Sequence, residues 1–124
     1  MEIYIALGRM NSRREQLEIL HARLGELVAV LAQDPLCQWR KHFVACQQQA
    51  ASLLSRDFTQ SELNVLSGSV NHVYGGAGSF NDYAPILANA DGTFGIIAGM
   101  DSFSELSSNV YSSALALRVI GDTP

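Results

Sequence analysis

Tyr74-Gly75-Gly76-Ala77-Gly78-Ser79-Phe80-Asn81-Asp82-Tyr83 divides the chain into two unlike halves. Three glycines in four positions cannot continue a helix, and each readily takes the left-handed backbone of a tight reversal. Ser79, Asn81 and Asp82 are the residue types that close turns by bonding side chain to backbone. Gly75, Gly76, Gly78, Ser79 and Asn81 are therefore read as a structural turn, with Phe80 as the anchor that plugs it into a core. The alternative is a phosphate cradle built from backbone amides. Such loops follow a strand and open a helix, whereas this one follows helical periodicity. No lysine or arginine lies nearby, and Asp82 repels an anion.

Upstream, the apolar residues recur at three and four positions. Leu17, Leu20, Leu24, Leu27 and Leu31 form one stripe on a helix to about Gln33. Ser12-Arg13-Arg14-Glu15 has the form of a capping box and is read as its start. Residues 1–10 stay open between a strand and a helical lead-in, because Ile3, Ile5 and Leu7 alternate over too short a run. Gly25, in mid-helix, marks a close helix crossing. Asp34-Pro35 reads as N-cap and first turn of a second helix, with the stripe Trp39, Phe43, Cys46, Ala50 and Leu53. Thr59-Gln60-Ser61-Glu62 is another capping box, opening a helix with Leu63, Leu66, Val70 and Val73 on one side.

Downstream, periodicity fails between Tyr83 and Met100. Pro85 excludes a helix interior, and Asp91-Gly92 between two short apolar runs fits either a small hairpin or an extended loop. Ser102-Phe103-Ser104-Glu105 reads as a third capping box. Phe103, Leu106, Val110, Ala114 and Leu117 continue as the last stripe, ended by Gly121. The expectation is an all-α, four-helix bundle-like single domain over residues 1–124, with an irregular insertion before its last helix.

At 124 residues and 48% hydrophobic, the chain suits one buried core without staples. The two cysteines, Cys37 and Cys46, are nine positions apart in one predicted helix, about 13 Å along the axis and beyond disulfide reach. No run is long enough to span a membrane, and Met1–Leu7 lacks a signal peptide's basic leader, so a cytoplasmic location is expected. The net charge of −4 is uneven. Through Glu62, seven acids balance seven bases; beyond it stand Asp82, Asp91, Asp101, Glu105 and Asp122 against Arg118 alone. An acidic half disfavours nucleic acid and anionic membranes and favours a basic protein partner.

No catalytic constellation emerges. His21, His42 and His72 fall on separate helices without metal-ligand spacing, so no metal and no cofactor is expected. Ser79, His72 and Asp82 lack the strand-turn-helix context of a nucleophile elbow.

Gly75-Gly76-Ala77-Gly78-Ser79-Phe80-Asn81-Asp82, with Trp39 upstream, the Asp91-Gly92 turn and the helix from Phe103, resembles a family of small bacterial proteins. That family's pattern is Gly-Gly-Met-Gly-Ser-aliphatic/aromatic-Asn-Asp, and the likeness covers roughly residues 36–120. Ala77 departs from the family's methionine, so no role for a large side chain is carried over there. The resemblance implies an immunity protein, an antitoxin encoded beside a toxin of bacterial competition, that acts by protein–protein contact and is not an enzyme. Its expected partner is a cognate toxin or effector with a basic active-site surface. Asp82, Asp91, Asp101 and Glu105 would steer the encounter, with Tyr74, Tyr83 and Tyr111 as aromatic contacts. The alternatives are a homodimeric scaffold joined through its apolar stripes, and a small-ligand binder or enzyme using the Gly75–Asp82 loop.

Overall fold

The computed structural model describes residues 2–75 and 78–118, with side chains from 13 onward. Four helices make up most of it: α1 (Glu2–Leu31), α2 (Arg40–Leu54), α3 (Gln60–Asn71) and α4 (Phe103–Leu115). Each packs on the next, and α4 closes back on α1, so the four make a ring around one core. The insertion between α3 and α4 holds a 3-10 turn, Phe80–Asp82, and an antiparallel hairpin of β1 (Ile86–Ala88) and β2 (Phe94–Ile96). The fold is thus helix-dominated, as the periodicity predicts, and of the two readings left open for the insertion the chain takes the small hairpin.

The stripes are the core. Leu17, Leu20, Leu24, Leu27 and Leu31 of α1 are fully buried, and Phe43, Cys46, Ala50 and Leu53 of α2 face them. Leu63, Leu66 and Val70 of α3, and Phe103, Val110 and Ala114 of α4, complete the interior. At Gly25 an added Cβ would stand 3.1 Å from Gln47 Nε2, so α1 and α2 do approach closely there.

Two predicted helix starts and one predicted capping box are corrected. The Ser12–Glu15 box does not begin α1, which runs through it from Glu2 in helical backbone, and residues 2–10 are helix rather than strand. Its two arginines serve other helices. Arg14 donates to the carbonyls of Leu54 and Arg56, both at 3.1 Å, and lies 5.1 Å over the Phe58 ring. Arg13 donates to Ala116 O at 3.3 Å. Both bond carbonyls that a helix end leaves without an intrahelical donor. Asp34-Pro35 is a turn, not the start of α2. Cys37 N donates to Asp34 O at 3.1 Å and Leu36 N to Asp34 Oδ1 at 3.0 Å, so aspartate and proline occupy the first two turn positions. Cys37 consequently lies before α2, and Trp39 is its N-cap residue. The Ser102 box does not form: Ser102 has ψ of 3° and makes no side-chain cap, because residues 100–103 already turn through Phe103 N to Met100 O at 3.0 Å. The Thr59 box does form, with Glu62 N on Thr59 Oγ1 at 3.2 Å and Thr59 N on Glu62 Oε1 at 3.0 Å. Gly76, Gly121 and Asp122 lie outside the described residues.

Candidate functional site

After α3 the chain reverses at Gly75 (φ 109°) and Gly78 (φ 78°), a backbone region that strains any side-chain-bearing residue. Phe80 N donates to Val73 O at 2.8 Å and ties the two ends of the loop together. Asp82 Oδ2 accepts from Gly78 N, and Ser79 Oγ accepts from Asn81 N at 3.2 Å. Ser79 and Asp82 thus bond the turn's own amides, and His72 stands elsewhere, its ring stacked on His42 at 5.4 Å.

Phe80 is buried at the centre of an aromatic cluster. Its ring centroid lies 4.8 Å from Phe43, 5.4 Å from Tyr74, 5.6 Å from Phe103, 5.8 Å from Trp39 and 5.9 Å from Tyr83. α2, the segment after α3 and α4 each contribute a ring. Tyr74 and Tyr83 are half-buried in this cluster rather than standing free. Tyr74 OH donates to Ser107 O at 3.0 Å, and burial pushes its hydroxyl pKa up to about 12. Tyr83 OH donates to Asp34 Oδ2 at 2.7 Å; burial first, and then the Asp34 carboxylate, raise its pKa further. Tyr111 is the exposed ring, 5.1 Å from Tyr74.

Beside the cluster an open groove of about 540 Å³ runs between the loop and α4. Tyr74, Asn81, Tyr83, Tyr111 and a row of serines on α4 line it, and none of its described lining residues is charged. It offers hydroxyls and ring faces but no titratable carboxylate, imidazole or amine for proton transfer.

The acids are outside the groove. Asp82, Asp91, Asp101 and Glu105 are all exposed. Asp91 stands at the hairpin tip, accepting from Thr93 N at 3.0 Å and Thr93 Oγ1 at 2.6 Å, bonds that hold its carboxyl below the usual range. The two ion pairs among the described residues, Arg23–Glu26 and Arg56–Glu62, involve none of these four. Arg118, the one base beyond Glu62, donates to Ser67 of α3 at 2.9 Å.

The hairpin itself is the feature that sequence reasoning left half-read. Its register pairs Ile86 with Ile96, Leu87 with Gly95 and Ala88 with Phe94. Alternation therefore puts Ile86, Ala88, Phe94 and Ile96 on one face. Ile86 is 52% exposed, Phe94 73% and Ile96 58%, and on the other face Leu87 is 60% exposed. The strands pair with each other, and among the described residues neither strand comes into close backbone contact with a helix. The signal was present in the apolar runs around Asp91-Gly92, but an apolar run by itself predicts burial.

A second missed cluster joins α2 to the end of α3. His42 Nε2 lies 3.6 Å from Cys46 Sγ, and its ring stacks on His72 at an interplanar angle of 12°. Burial lowers the His42 pKa and the His72 charge lowers it further, against bonds to the Val70 and Ser69 carbonyls that raise it. Burial pushes the Cys46 thiol up to about 11. Among the described residues no group of three metal-ligating side chains comes together, and no helix is long and apolar enough to cross a membrane.

Fold and surface together define a small four-helix protein with a projecting apolar hairpin on its acidic half. No family model matches the chain, and neither a curated protein nor a solved structure matches it.

Proposed function

We propose that the chain is a protein-binding module, an immunity protein that neutralises a cognate toxin by covering the toxin's basic active-site surface. One observation carries the reading: an apolar hairpin stands off the bundle, and the stretch around it, residues 79–102, holds Asp82, Asp91 and Asp101 with no lysine, arginine or histidine. Exposed apolar surface without a function is a liability for a monomer, and it marks an interaction site. The surrounding acids favour a cationic partner over nucleic acid, a phospholipid surface or a second copy of the same charge. The likeness of Gly75–Asp82 to the immunity-like family supports the same reading. In this reading the glycine turn is a brace that holds the hairpin's root. Occlusion needs only a standard interface of roughly 1,600 Å² in total.

Co-expression with the product of the neighbouring reading frame tests the reading. The expected result is a product that arrests growth alone, growth restored by this chain, and a one-to-one complex on purification. A neighbour that is neither toxic nor bound by the chain overturns it.

A further inference from the structure

Bonds at the two ends of the hairpin fix which way each backbone group points. Ile97 N donates to Pro85 O at 2.8 Å and Asn89 N to Thr93 O at 2.7 Å. In an antiparallel ladder, bonded and non-bonded pairs alternate. Leu87 and Gly95 are therefore the bonded pair between those ends. The amides and carbonyls of Phe94 and Ile96 point away from β1, toward the free edge of β2. Among the described residues, neither outward amide has an acceptor.

The two edges of the hairpin differ. On β1, Pro85 stands at the strand's start and the Ile86 amide turns back to Ala84 O at 2.9 Å. Along Phe94-Gly95-Ile96-Ile97 there is no proline and no charge, and the register is unbroken. Charges, prolines and bulges are devices that blunt an edge against strand addition, and β2, though only three residues long, has none of these. Its side chains Phe94 and Ile96 belong to the exposed apolar face, so one strand offers both main-chain bonds and apolar contact. Behind it, the Asn89 side chain covers Gly95, whose Cβ position lies 3.3 Å from Asn89 Nδ2.

We propose that β2 is an acceptor edge onto which the partner protein adds an extended segment. The segment pairs its main chain with Phe94 and Ile96 and lays apolar side chains on the Phe94/Ile96 face. It carries lysine or arginine at its flanks, because Asp91 and Asp101 stand on either side of β2 in the chain with no base between them. Main-chain pairing supplies affinity in such additions, and alternate side chains supply selectivity. A second copy is the wrong occupant: edge-to-edge pairing of two β2 strands sets two acid-only hairpins against each other. This inference rests on the protein-binding reading and adds the place and chemistry of contact.

The test uses two synthetic peptides, one with an alternating Val/Thr centre and two lysines at each end, the other with glutamates in place of the lysines. Amide exchange is followed by NMR at low salt. The lysine peptide slows exchange at Phe94 and Ile96 at least tenfold and leaves Gly95, already paired, unchanged; the glutamate peptide does neither. Ile96→Pro removes one outward amide that the hairpin ladder does not use, and abolishes protection at Phe94 while Leu87 and Gly95 stay protected. Phe94→Lys narrows the preference for the lysine peptide. No protection by either peptide, equal protection by both, or protection that appears with rising chain concentration alone overturns the proposal. If Ile96→Pro and Phe94→Lys still rescue growth and bind the neighbouring product with unchanged affinity, the edge assignment falls and the immunity reading stands.

Discussion

Phe80 reaches five other rings from within a turn of three residues, so its loss is felt on both sides of the loop. Phe80→Ala leaves a void that rigid neighbours cannot fill, and denaturant unfolding should show a loss of about 3–5 kcal/mol. A second residue-scale expectation concerns His42. Its folded pKa lies below the ordinary 6.5, so the unfolded chain takes up the proton more readily. Stability is therefore full above pH 6.5 and falls as pH drops from 6.5 toward the folded pKa. Unfolding free energies between pH 7.5 and 5 should decline in the native chain and decline less in His42→Gln. Phe80's burial is legible as the anchor of the glycine turn, whereas the setting of His42 is not. His42 and His72 are 30 positions apart on different helices, and the stack arises from how α2 meets the end of α3. Tyr74 and Tyr83 flank a loop, which reads as exposure, yet their hydroxyls find Ser107 and Asp34 at long range.

Among the elements, two capping boxes written alike in sequence behave differently, and the difference is measurable. Thr59→Ala removes a made bond to Glu62 N and should lose about 1 kcal/mol. Ser102→Ala removes no cap and should stay within about 0.5 kcal/mol of the native chain. The helical stripes were legible because burial on one face imposes a three-and-four spacing that nothing else produces, and those residues are the core. Helix starts were less legible. Serine, aspartate and threonine serve turns as well as caps, and tertiary bonds decide between the uses. Arg13 and Arg14 bond two other helix ends, and the Asp34 side chain takes Leu36 N and Tyr83 OH. The hairpin was ambiguous because its apolar residues face outward, against the burial that such runs normally signal.

For the whole molecule, the division of charge matters more than its sum. The half through Glu62 is neutral and the remainder carries the −4. The hairpin, the glycine turn and the start of α4 all belong to that second half, with Asp82, Asp91, Asp101 and Glu105 exposed. Association with a cationic partner should therefore be steered. Replacing Asp91 and Asp101 together by asparagine should slow association about tenfold at low salt, with the gap closing near 1 M salt in stopped-flow measurements. The unfolding midpoint should barely move, since neither exposed carboxylate pairs with a base among the described residues and asparagine at 91 keeps an oxygen to accept from Thr93. The most direct measurement of the central claim is hydrogen exchange by mass spectrometry on the chain, free and in complex with the product of the neighbouring reading frame. The account predicts that new protection concentrates in residues 84–98, around Phe94 and Ile96. Protection confined to the outer faces of α2 and α3, with the hairpin exchanging as it does in the free chain, would contradict it.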